Sequence, residues 1–172
     1  MMKKTLFAIV LSVLVLTCVY AGNSSIAVRI SPFSFQSVKT NVEKHRSSAG
    51  FGVEAGYDYA IWKGLTVGGA LKYSNYRYDE HSYHVISLMA NAGWTQKIGT
   101  TFTLDARFGA ALQERMIGEA KALFFALNLY TGAGLVVSPK LTLTAGADFG
   151  LAFQKDSRDY SLDAMFGALI SL

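Results

Sequence analysis

The sequence predicts an all-β chain: an eight-stranded antiparallel up-and-down transmembrane β-barrel, following a cleaved N-terminal signal peptide. Three observations carry this expectation. Apolar content is high but interrupted. Apolar residues recur at every second position rather than every third or fourth. The joints between the alternating segments are short at one end and longer and charged at the other.

Of the 172 residues, 51% are hydrophobic and only 16% charged, which is apolar for a soluble domain. Yet beyond residue 20 there is no run of ~18 apolar residues, the length a helix needs to cross a bilayer. A barrel reconciles the two facts, because only alternate residues of each strand meet lipid.

The N-terminus reads as a targeting segment. Lys3 and Lys4 form a positive region, Leu6 to Val15 an apolar core, and Val19-Tyr20-Ala21 a cleavage pattern. Cleavage is expected between Ala21 and Gly22, giving a signal peptide at 1–21 and a barrel at 22–172. The apolar stretch is short and ends at this site, which argues against an uncleaved anchor helix. Thr17 before Cys18 argues against a lipoprotein, since a small Gly, Ala or Ser usually precedes a lipidated Cys. Processing removes the single cysteine, so neither a disulfide nor a thiolate metal site is expected. Losing Lys3 and Lys4 also lowers the formal charge from +4 to +2. The basic residues form no stripe, so nucleic acid is not an expected partner.

The strands follow in order. Ile26, Val28 and Ile30 alternate before Pro32. In the next segment Ala49, Phe51, Val53, Ala55, Tyr57 and Tyr59 oppose Gly50, Gly52, Glu54, Gly56 and Asp58. Leu65, Val67, Gly69, Leu71 and Tyr73 form a third, and Ile86, Leu88, Ala90, Ala92 and Trp94 a fourth. From Thr101 to Gln113, Phe102, Leu104, Ala106, Phe108, Ala110 and Leu112 oppose Thr103, Asp105, Arg107, Gly109, Ala111 and Gln113. On a helix these two sets would mix; on a strand they separate. Leu123, Phe125, Leu127, Leu129, Ala133 and Leu135 form a sixth. Leu141 to Phe153 alternates as cleanly as the fifth, and Tyr160 to Leu172 forms the last. The triplets Ala55-Gly56-Tyr57, Ala92-Gly93-Trp94 and Ala133-Gly134-Leu135 recur every ~40 residues before short turns, as barrel periodicity requires.

Short turns are expected at 60–64, 96–99 and 138–140. Longer polar loops are expected from Gln36 to Ser48, Tyr76 to Ser82, Glu114 to Lys121 and Gln154 to Asp159. Short turns on one side and long loops on the other is the outer-membrane arrangement. The non-lipid face is rich in Gly, Ala, Ser and Thr, which suits a crowded lumen better than a solvated sheet surface.

In this pattern the chain resembles the small eight-stranded bacterial outer-membrane proteins, the OmpX, OmpA-membrane-domain and OmpW group, over the whole mature length. The resemblance implies a bacterial outer-membrane location and assembly by the barrel-assembly machinery, which reads the alternating C-terminal strand from Tyr160 to Leu172. Those proteins usually end in Phe; this chain ends in Ile170-Ser171-Leu172. The resemblance to OmpA further implies that inward charges act as a gate for ions or small solutes.

Seven charges fall on the inward face: Arg29, Glu54, Lys72, Asp105, Arg107, Asp148 and Asp163. Unpaired charges in a narrow lumen are costly, so these are expected to pair, either as a plug or as a gate. Tyr57, Tyr59 and Trp94 are expected in the inner interfacial girdle, with Tyr73 in the outer one beside Tyr78, Phe33 and Phe35. His45, His81 and His84 fall in or beside the outer loops, without metal-binding geometry. Adjacent His81 and Ser82 diverge on a strand and cannot act as base and nucleophile. No enzyme, metal or cofactor is expected. Lys63, Lys97 and Lys140 mark the three short turns and are solvated or touch anionic headgroups. The leading functional expectation is a narrow porin-like conduit for small or hydrophobic solutes in a monomeric barrel. The alternatives are a structural or adhesin-like barrel that binds host surface molecules, and a lipid A-modifying enzyme. Outer-membrane lipids are partners in each.

Overall fold

The computed structural model describes residues 24–40, 46–78, 81–118, 120–155 and 157–172. The expected signal peptide with Cys18, and His45, lie outside the described residues. Eight strands follow one another: β1 (Ser24–Thr40), β2 (Arg46–Trp62), β3 (Leu65–Tyr78), β4 (His81–Ile98), β5 (Phe102–Ile117), β6 (Ala120–Ser138), β7 (Leu141–Gln154) and β8 (Ser157–Ser171). Each pairs antiparallel with its sequence neighbours, and β8 pairs with β1 from Ser25↔Ser171 to Thr40↔Ser157, closing the barrel. Closure satisfies the backbone of every strand and leaves no edge, the condition for a sheet to sit in hydrocarbon.

The period-2 pattern becomes two faces. In β6, Phe124, Ala126, Asn128 and Tyr130 are buried while Leu123, Phe125 and Leu129 are exposed. Phe33, Leu123 and Trp62 are more than 60% exposed, whereas Arg29 is 4% and Asp163 0% exposed. A water-soluble barrel has the opposite polarity, with apolar side chains enclosed and charges outside. The interior accepts long ionic side chains because small residues share it. Ala70, Met89, Ala111, Ala126 and Ala152 follow one another in register along the inner wall.

Three features differ from the sequence expectation. First, β1 runs on to Thr40, past the loop start expected at Gln36, and it bulges at Pro32. One extra residue enters at that point, so that Ser31 faces Gly52 and Ser34 faces Gly50, and Pro32 and Phe33 both point outward. A bulge is where a strand tolerates proline, which has no N–H for the ladder. Ser31 Oγ donates to Phe33 O at 3.0 Å and lies 3.0 Å from Ser34 Oγ, so hydroxyls meet the polar groups the bulge frees.

Second, the four expected long loops are mostly strand. β3 runs to Tyr78 and β4 begins at His81; β5 runs to Ile117 and β6 begins at Ala120; β7 runs to Gln154 and β8 begins at Ser157; only 41–45 separate β1 from β2. Charge in these stretches marks where strands leave the apolar belt, not where they leave the sheet. Third, His81, which falls in the expected loop 76–82, begins β4, and His84 lies within the same strand.

The opposite end has short turns, as expected, but at 63–64, 99–101 and 139–140, because β2 runs on to Trp62 and β4 to Ile98 through most of the stretches 60–64 and 96–99. Gly64 has φ 90°, and a Cβ there would stand 2.4 Å from Thr95 O. Only glycine allows both the conformation and the approach.

Candidate functional site

Two register rows position the interior charges. β1, β2 and β3 set Arg29, Glu54 and Lys72 side by side. β5, β6, β7 and β8 set Arg107, Tyr130, Asp148 and Asp163 side by side on the other wall. All seven are buried.

Within the first row Arg29 Nη1 donates to Glu54 Oε1. Lys72 instead crosses the lumen. Its Nζ donates to Asp148 Oδ2 at 2.7 Å and to Asp163 Oδ2. Asp148 and Asp163 are direct cross-strand partners, a like-charge pairing that destabilises a sheet by itself. The ammonium between them turns that repulsion into a bridge joining β3 to β7 and β8. Asn128 Nδ2 adds a donor to Asp148 Oδ2 at 3.3 Å.

A second strut runs from β5 to β2. Arg107 Nη1 donates to Asp58 Oδ2, and Nη2 reaches Asp105 Oδ2 at 3.3 Å. Thr95 Oγ1 donates to the other Asp105 oxygen at 2.5 Å. The guanidinium carbons of Arg29 and Arg107 stand 4.8 Å and 6.0 Å from the centre of the Tyr130 ring, within cation–π range. Gly146 lets the ring lie against the wall, since a Cβ there would come 2.8 Å from Tyr130 Cε2.

A third layer lies in the outer half. Arg115 pairs with Asp159 and stacks over Phe124 at 3.9 Å. Gln36 Oε1 accepts from both terminal Arg115 nitrogens at 2.9 Å, and its Nε2 donates to Tyr83 OH at 2.6 Å. This amide orientation faces donors with an acceptor. Tyr83 OH is then free to donate to Ser48 Oγ at 2.6 Å, and its ring stacks on Tyr76 at 5.2 Å.

The seven charges expected inside thus fall into three groups: Arg29 with Glu54, Lys72 with Asp148 and Asp163, and Arg107 with Asp105. Three further charges, Asp58, Arg115 and Asp159, also face the lumen. Asp58 shares the parity of Glu54 on β2, so its inward direction was legible. Arg115 and Asp159 share the parity of Arg107 and Asp163, but the expected loops hid them. Among the described residues four cations and six carboxylates are buried. A cavity of about 20 Å³ remains between Lys72, Asn128, Arg115 and Asp159, room for about one water. No group of three His, Asp, Glu or Cys side chains among the described residues is arranged to hold a metal ion.

Of the expected interfacial aromatics, Trp94 is exposed at the short-turn end, and Tyr57 and Tyr59 are half-buried on the same outward parity. Tyr73, towards the other end, is half-buried against His84.

This architecture is that of the small eight-stranded outer-membrane barrels. Neisserial surface protein A is similar at a TM-score of 0.64 and 16% identity, over 87% of this chain and 97% of its own. Ail, the attachment invasion locus protein of Yersinia pestis, is similar at 0.52 and 14% identity, over 86% and 99%. Ail in complex with the heparin analogue sucrose octasulfate gives 0.53 and 14%, over 86% and 99%. No protein-family model matches the chain, and no curated protein matches it by sequence.

Proposed function

We propose that the chain is a monomeric bacterial outer-membrane barrel with a closed lumen, exported by the signal peptide at 1–21. It acts as a structural or surface-interaction protein through its outer rim and lipid-facing wall, not as an open conduit or an enzyme. One observation carries this reading: Lys72 spans the lumen to Asp148 and Asp163, Arg107 spans it to Asp58, and the cavity beside Lys72, Asn128, Arg115 and Asp159 is only about 20 Å³, room for about one water. An eight-stranded barrel is only just wide enough for its own side chains, and here those side chains are joined to one another across the lumen. Outer-membrane lipids surround the wall, the alternating β8 strand is the segment offered to the barrel-assembly machinery, and host surface molecules meet the outer strand ends. That Ail was crystallised with a heparin analogue makes sulfated glycans the first host ligands to test.

Planar-bilayer recording tests the closed lumen. The wild-type barrel should show no conductance steps above background. Steady steps in the wild type, altered by Glu54→Ala or Lys72→Ala, would establish the conduit instead.

A further inference from the structure

One group of polar side chains lies on the outside of the barrel, where the lumenal network does not use it. Asn75 and His84 are direct partners across β3 and β4, and Tyr73 pairs with Ile86 beside them. Tyr73 OH lies 2.8 Å and Asn75 Nδ2 2.9 Å from His84 Nδ1. The phenol ring stacks on the imidazole at 5.9 Å. An amide NH2 can only donate, so His84 Nδ1, whose single lone pair the two neighbours share, is the acceptor, and Nε2 is the ring nitrogen that carries a proton. Two neighbours therefore fix an imidazole whose remaining N–H serves neither of them. Exposed Arg77 stands at the next outward position of β3, opposite Ser82. Diagonal neighbours of this kind lie ~7–8 Å apart, within reach of a long side chain.

Below this cluster the wall is a hydrocarbon shelf. Leu71, Leu88, Leu112 and Phe125 follow one another in register across β3 to β6, each between 43% and 55% exposed. Four strands ~4.8 Å apart make the shelf roughly 15 Å wide, room for more than the two acyl chains of a phospholipid.

We propose that Tyr73, Asn75, Arg77 and His84 form a headgroup site for a phosphorylated, multiply acylated glycolipid of the outer leaflet. Arg77 and His84 Nε2–H donate to a phosphate, Tyr73 and Asn75 position the imidazole, and the acyl chains lie along the leucine shelf. This rests on the barrel orientation proposed above, and not on whether the lumen conducts.

The test uses the mature barrel in phospholipid nanodiscs doped with bisphosphorylated hexa-acyl lipid A, its dephosphorylated form, or phosphatidylglycerol. Mass spectrometry reads the lipid retained after detergent exchange, and the ¹⁵N shift of His84 Nε2 reports contact. Phosphorylated lipid A should be retained at least fivefold over the other two and should move the Nε2 signal. His84→Gln and Arg77→Gln should each cut retention at least threefold, and Arg77→Lys should restore most of it. Heat-modifiable gel migration checks that every variant is folded. Equal retention of the two lipid A forms, or no loss in both Gln variants, overturns the site; equal retention of phosphatidylglycerol overturns the glycolipid assignment. A conducting barrel that holds lipid A fails only the closed-lumen reading. A silent barrel that ignores lipid A fails only this one.

Discussion

Lys72 holds the interior together more than any other side chain, because it alone neutralises two carboxylates that face each other across a strand pair. Removing one partner of a buried ion pair typically costs about 3–5 kcal/mol, since the remaining charge is left uncompensated. Lys72→Met should therefore lower the unfolding free energy by about that much, read by reversible urea titration in lipid vesicles. The triple variant with Asp148→Asn and Asp163→Asn should regain more than half. If the triple variant is no more stable than Lys72→Met, the bridge is not the cause. Parity made the inward direction of Lys72, Asp148 and Asp163 legible in the sequence. Their partnership was not, because 76 and 91 residues separate Lys72 from the two aspartates.

At the scale of the strand, what matters is which face meets lipid. Leu129 lies in the middle of β6 and is 46% exposed. An arginine at the bilayer midplane of such a wall costs about 2–4 kcal/mol, falling to ~0–1 near the interfaces. Leu129→Arg should show the full cost and Leu123→Arg, towards the strand's outer end, clearly less, in the same vesicle titration. Equal small effects at both sites would mean that this face meets water. The strands' existence and faces were readable from period 2, but their outer ends were not. Charged residues such as Arg115 and Asp159 look like loop residues in a linear reading, yet they continue the ladder because the barrel gives them partners on the inside. At Pro32 a bulge absorbs the proline without ending β1.

For the whole molecule, the closed-lumen reading proposed above assigns the seal to two rings in series. One is Tyr130, with Arg29 and Arg107 within cation–π range. The other is Tyr83, stacked on Tyr76 and bonded to Ser48 and Gln36. Truncating either buried ring to alanine should destabilise the barrel by about 3–5 kcal/mol, the range for large aromatics. Neither Tyr130→Ala nor Tyr83→Ala alone should conduct in planar bilayers, whereas the double variant should. Conductance from a single variant would reduce the two seals to one.

By itself the sequence determined the fold class, the strand count and the polarity of the two faces. These are local properties: successive side chains of an extended backbone point to opposite sides, so six or seven residues are enough to declare a strand and its oily face. Only the tertiary structure decided which inward charges meet, where the strands end, and that His84 stands fixed on the outer wall. Those depend on the stagger with which eight strands close on one another, which sets distances across the lumen and between neighbouring strands. No stretch of sequence short enough to show a pattern contains that stagger.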